Sequence, residues 1–130
     1  AGDMVPGAPM DDAPIQVDGR DSWLLDQLGN RFQCLLFVDA ATGVSDTQRA
    51  ALAALATGPI PVQALLVSPA AVAGRDLPVL VDTQGLVARR YDARPGTTYL
   101  VRPDQHVAAR WRAFDAAAVR AAVARATCNA

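Results

Sequence analysis

Lysine and glutamate are absent from this 130-residue sequence: all 12 basic residues are arginine and all 13 acidic residues are aspartate. That pattern reads as a GC-rich coding bias, and the formal net charge of -1 argues against the strongly basic surface that nucleic acid demands. Cysteine is scarce too, with only Cys34 and Cys128, far apart in the chain. They form no CxxC and no metal-ligand pair, which excludes a disulfide framework and a cysteine metal site. Aromatic residues make up 5% of the chain, so the core is built from Leu, Val and Ile with a few rings. No apolar run approaches the roughly 18 to 20 residues that span a bilayer, and Ala1 to Asp12 lacks the charged and apolar regions of a leader, so the expected compartment is the cytoplasm. Neither GxGxxG nor GxxxxGK[ST] occurs, so FAD or NAD(P)H has no glycine-rich cradle here.

The length fits one domain. Residues 1–14, AGDMVPGAPMDDAP, carry three prolines, two glycines and three aspartates, and read as an extended arm or linker ahead of a domain at 15–130. Ile15 to Val17 is expected as a short edge strand, Asp18-Gly19 as a turn, and Ser22 as the cap of a short helix carrying Trp23, Leu24 and Leu28, stopped by Gly29. Phe32 to Val38 is a buried strand near the sheet centre. A helix capped by Ser45 or Asp46 runs to Ala56 with Leu52 and Leu55 inward, and Val62 to Val67 is a second, parallel strand, completing a βαβ unit. After a loop with Pro69, Gly74 and Pro78, Leu80-Val81 leads to Asp82, which caps a helix from Thr83 to about Tyr91. Thr97 to Arg102 and His106 to Arg112 form a hairpin around Pro103-Asp104-Gln105, and Asp115 caps a last helix with Val119 and Val123 inward, before a frayed CNA tail. The order is βαβ, helix, β-hairpin, helix: α/β, thioredoxin-like, with a mixed central sheet.

Redox proteins of that order keep their thiols between the first core strand and the following helix, whose N-terminus lowers a cysteine pKa. Here the segment is DAATGVSD, Asp39 to Asp46, with no cysteine. Cys34 lies within a buried strand and reads as packing. His106, the only histidine, has no serine or cysteine paired with it by any local signature, and reads as an exposed edge-strand residue. Asp11-Asp12 reads as a solvated acidic patch. Arg89, Arg90, Arg94, Arg102, Arg110 and Arg112 with Tyr91, Tyr99 and Trp111 hold both ingredients of a nucleic-acid surface, but strand alternation separates Trp111 from Arg110 and Arg112. No catalytic, cofactor-binding or metal-ligating residue is assigned. Charge is uneven: net -6 over residues 1–46 (eight Asp, two Arg) and +5 over 86–130 (eight Arg, three Asp). Internal compensation is the expected reading, with docking of the basic end onto an acidic partner as the alternative.

The stretch YLVRPDQHVAARWR, Tyr99 to Arg112, resembles the closing hairpin of FAD-dependent aromatic-ring hydroxylases, the group of phenol hydroxylase, 3-(3-hydroxyphenyl)propionate hydroxylase and polyketide-tailoring monooxygenases. PGAPMDDAPI resembles that family's lead-in, LLDQLGNRF its short helix, and LVDTQGLVARRYDA its penultimate helix. The resemblance implies a non-catalytic, C-terminal thioredoxin-like domain for structure and assembly. FAD, NAD(P)H and the catalytic residues would belong to the upstream part of the polypeptide, its first partner, with homo-oligomer contacts in some members. The family domain lacks the CxxC, as this chain does. Gly96 stands between Pro95 and the following strand, which leaves open whether the bond before Pro95 is cis. Two other readings remain: a free-standing oxidoreductase using Cys34 or Cys128 as a lone thiol, and a small-ligand binder with a cleft beside Asp39 to Asp46.

Overall fold

The computed structural model describes residues 4–73 and 76–128; Gly74 and the end of the expected tail, Asn129 and Ala130, lie outside them. One seven-stranded sheet runs in the order β2-β1-β5-β4-β3-β6-β7. Its elements are β1 (Pro14–Val17), β2 (Arg20–Trp23), a 3-10 turn (Leu24–Gln27), β3 (Phe32–Phe37), α1 (Asp46–Ala56), β4 (Val62–Ser68), β5 (Val79–Val81), α2 (Leu86–Arg90), β6 (Thr98–Val101), β7 (Val107–Trp111) and α3 (Ala116–Cys128). β3, β4 and β5 are parallel, and β1, β2, β6 and β7 pair antiparallel. This is the thioredoxin-like α/β arrangement, extended on one side by the β1–β2 hairpin.

Every residue of β3 is buried, because both faces of the sheet are covered. Period-two alternation sends Leu35, Phe37, Leu65, Val67, Tyr99 and Val101 to one face, where they meet Val87, Tyr91, Leu24 and the arm residues Met4, Met10 and Ala13. Cys34, Leu36, Ala64, Leu66 and Leu100 go to the other face, under Leu52 and Leu55 of α1 and Val119, Ala122 and Val123 of α3. α1 starts as its sequence predicts: the Ser45 hydroxyl accepts from the Gln48 N–H, and the Gln48 side chain accepts from the Ser45 N–H, each at 3.1 Å. Gln33 is the polar intruder in β3. Its amide is satisfied by accepting from Gly29 N–H (2.9 Å) and donating to the Gln27 carbonyl (2.7 Å) and Gln63 (2.8 Å).

Several expectations need correction. The helix expected from Ser22 is strand β2 followed by one 3-10 turn, and Ser22 caps nothing. Asp18 and Gly19, at φ 53° and 79°, form a tight two-residue hairpin loop that folds residues 20–23 back along β1. β1 is accordingly not an edge strand; it lies between β2 and β5. Leu80-Val81, expected only as a lead-in, belongs to β5, where three residues suffice because β4 provides a paired template. The helix expected from Thr83 begins at Leu86, because Gly85 is left-handed at φ 70°. Cys128 is the last residue of α3, inside the region expected to fray.

Asp12 is only partly solvated. Its Oδ1 accepts from the N–H groups of Ala13 (2.9 Å) and Leu25 (3.0 Å), tying the end of the arm to the 3-10 turn. The arm itself lies along β7: Gly7 N–H donates to Val107 O (2.7 Å), Val107 N–H to Ala8 O (2.9 Å) and Met10 N–H to Gln105 O (2.9 Å). The Tyr91 hydroxyl donates to the Asp11 carbonyl and Arg90 to the Asp12 carbonyl. Met10 is buried, so Met10→Ala is expected to lower stability by about 2 to 4 kcal/mol in urea denaturation. A loss below about 0.5 kcal/mol, the scale of a surface substitution, would show that the arm does not belong to the core.

Candidate functional site

Sites in sheets with parallel strands form where the strands end, since loops diverge there and leave a crevice. β3, β4 and β5 end together at Phe37, Ser68 and Val81, and beside them lies a cleft of about 340 Å³ lined by Phe37, Asp39, Ser68, Asp82, Ala88 and Pro95 among others. This is also where the cysteine-free segment Asp39 to Asp46 begins.

The polar groups of the cleft are engaged in closing its own loops. The Asp39 carboxylate accepts from Ala41 N–H (2.7 Å), and its carbonyl accepts from Gly43 N–H (2.7 Å). The Ser68 hydroxyl donates to the Ala70 carbonyl at 2.6 Å. Asp82 is buried, and each of its oxygens accepts a main-chain N–H at the start of α2, from Val87 (3.1 Å) and Ala88 (2.9 Å). The capping role expected of Asp82 is thus present, but it bridges over Gly85 to the helix. The remaining wall is Pro95-Gly96-Thr97, clamped to β3 by Gly96 N–H to Phe37 O (2.7 Å) and Phe37 N–H to Thr97 O (3.0 Å). The bond before Pro95 is trans. Gly96, at φ 97°, is required there, since a Cβ would come within 3.3 Å of the Arg112 carbonyl.

Cys34 is on the opposite face of the sheet from Phe37, wholly buried, and burial pushes its thiol up to about 12. The thiolate, the reactive form, is thereby suppressed. His106 lies at the hairpin turn, with Nδ1 3.0 Å from the Asp104 carbonyl, and its main chain bridges Pro9 of the arm. Asp11 is exposed and its carbonyl, not its carboxylate, is used by Tyr91. Arg112 hydrogen-bonds Asp92 at 2.8 Å and holds that half-buried carboxyl down at about 2. Trp111 packs toward α1 and α3, while Arg110 reaches back to the Met4 carbonyl at 3.1 Å, so the expected alternation along β7 is present. Two features were not read from sequence: the docking of the arm, whose carbonyls take up arginines of the basic half, and Trp23, 52% exposed on the outermost strand.

The cleft does not fit FAD or NAD(P)H. Its charged side chains are the carboxylates Asp39 and Asp82, of the same sign as a pyrophosphate, and both oxygens of Asp82 are already engaged. Among the described residues no cluster of His, Cys or Asp could hold a metal ion, and no helix is long and apolar enough to cross a membrane.

Residues 13–126 match the family described as the HcaD C-terminal domain. The chain belongs to that family. Among solved structures, this HcaD C-terminal domain is similar to part of the flavin-dependent monooxygenase PieE, solved with FAD and substrate, with TM-score 0.69 and 25% identity over 96% of this chain and 20% of PieE. It is also similar to part of aklavinone-11 hydroxylase, solved with FAD and aklavinone (TM-score 0.65, 24% identity, 88% of this chain and 19% of that one). The chain therefore spans about a fifth of the length of these two proteins. The peroxidoxin BcpB from Mycobacterium tuberculosis matches over 95% of this chain and 98% of its own, with TM-score 0.70 and 23% identity, which confirms the thioredoxin-like fold. No curated protein sequence matches.

Because burial disfavours the Cys34 thiolate and raises the thiol from about 9 to about 12, native stability does not depend on this group below pH 9 and falls as pH rises from 9 toward 12. Native protein at pH 8 is expected to leave Cys34 unlabelled by iodoacetamide, with labelling only after denaturation, as read by peptide mass mapping. Rapid labelling in the native state would contradict its burial.

Proposed function

We propose that this chain is the C-terminal domain of an FAD- and NAD(P)H-dependent monooxygenase that hydroxylates an aromatic substrate, and that it supports the folding and assembly of that enzyme without a catalytic residue of its own. Its first partner is the upstream catalytic part of the same polypeptide, in the cytoplasm, with neither nucleic acid nor membrane as partner. The observation that carries this reading is the state of the cleft at the ends of β3, β4 and β5: where a thioredoxin-like redox protein presents thiols, this chain has Asp39, Ser68 and Asp82 bound to its own main chain. Membership of the HcaD C-terminal domain family and the likeness to PieE support the parentage.

A second reading is favoured by the cleft volume of about 340 Å³, which falls within the roughly 300 to 1,000 Å³ of small-molecule pockets. The isolated chain separates the two. Insulin reduction and peroxide consumption are expected to be at background, and FAD, NADPH and simple phenols are expected to leave the melting temperature unchanged, since a ligand that binds only the native state must raise it. Thiol-dependent turnover abolished by Cys34→Ser or Cys128→Ser would replace the proposal with an oxidoreductase. A saturable rise in melting temperature with a phenol would replace it with a ligand-binding domain. Deleting the domain from the full-length enzyme is expected to reduce the yield of soluble assembled protein severalfold while the protein that remains keeps its flavin spectrum.

A further inference from the structure

The two edges of the sheet are unlike. β7 is covered over its first half by the arm, with main-chain hydrogen bonds at Gly7, Ala8 and Met10, whereas among the described residues β2 pairs only with β1. An open edge is a template for another strand. The two-residue Asp18-Gly19 loop closes its hairpin on the Val17–Arg20 pair, so the positions hydrogen-bonded to β1 are Arg20, Ser22 and then Leu24, whose N–H donates to Ala13 O at 2.9 Å. Asp21 and Trp23 therefore turn their N–H and C=O groups outward. Both side chains are exposed on the face shared with Gln16, whose amide donates to Asp21 Oδ1 at 3.0 Å. Trp23 also borders an open cleft of about 480 Å³, together with Asp21, Leu86 and Arg90.

We propose that β2 pairs antiparallel with β2 of a second copy of this chain, centred on Ser22. A two-fold axis perpendicular to the sheet preserves its faces, so residues opposite each other must have the same parity, and only registers centred on a residue are available. Centring on Asp21 sets two carboxylates against each other and yields one hydrogen-bonded pair. Centring on Ser22 sets Asp21 opposite the second copy's Trp23, twice, and uses all four outward residues in two hydrogen-bonded pairs. Each exposed indole N–H, a donor in need of an acceptor, then lies beside a carboxylate. Asp21 and Trp23 are thus complementary across this edge, and of the two registers only the one centred on Ser22 joins them. The contact does not rest on the monooxygenase reading.

The test uses the 130-residue chain. Sedimentation equilibrium from the micromolar to the millimolar range is expected to show the mass doubling. Hydrogen exchange is expected to show the Asp21 and Trp23 amides gaining protection with concentration while that of Ser22 stays constant. Asp21→Pro removes an outward N–H and leaves the β1 ladder intact, and it is expected to weaken dimerisation by about tenfold or more, as is Trp23→Ala. A monomer throughout, a dimer whose Asp21 and Trp23 amides stay unprotected, or a dimer unchanged in folded Asp21→Pro protein would each overturn the proposal. Exchange on the unaltered chain decides the matter if a variant fails to fold.

Discussion

The parallel pairing of β3 with β4, in a sheet buried on both faces, constrains everything else in this protein. A strand with no solvent side must be apolar at every position or satisfy what is not, and β3 does both: five of its residues pack, and Gln33 has each end of its amide engaged. Alternation then commits each side chain to one of two cores. Cys34 falls on the α1–α3 side, away from the cleft at the strand ends, and burial keeps it protonated. Chemistry in such a fold is confined to strand ends and sheet edges, and here the strand ends are occupied by loop-closing bonds.

The arm completes the second core. Met4 and Met10 enter the cluster of Tyr91, Tyr99 and Val107, and the aromatic contacts Tyr91–Tyr99 and Tyr99–Phe37, with ring centres 5.3 and 6.3 Å apart, link that cluster to β3. The charge asymmetry takes on a physical meaning at this contact. Arg90 and Arg110, from the basic half, hold carbonyls of the acidic arm, so the two halves meet through directed hydrogen bonds to main chain in addition to long-range attraction. A segment held in this way is part of the packing of the sheet it lies against.

Much of this was legible in the sequence where apolar period and turn chemistry agreed. FQCLLFV and VQALLV read as buried strands, Ser45 or Asp46 as a helix start, and Pro103-Asp104-Gln105 between two alternating runs as a hairpin. β2 was not legible, because Arg20-Asp21-Ser22-Trp23 has no apolar alternation and is a strand only because the Asp18-Gly19 loop folds it onto β1. β5 was too short to show a period. The arm was legible as an extended segment, but its docking was not, because its bonds are long-range and its buried residues, Met4 and Met10, follow no helical or strand repeat. At the site, the missing thiol was plain from Asp39 to Asp46, while the use of both Asp82 oxygens required α2 to be seen starting at Leu86.

If this thioredoxin-like chain works, as we propose, as one part of a flavin enzyme, its native form is a longer flavoprotein. The direct measurement is the size and flavin content of the native protein isolated from its source with an antibody against this domain. The chain corresponds to 20% of PieE, so the account predicts a polypeptide about five times as long as this one, carrying FAD. A flavin-free band near 13.6 kDa would contradict it.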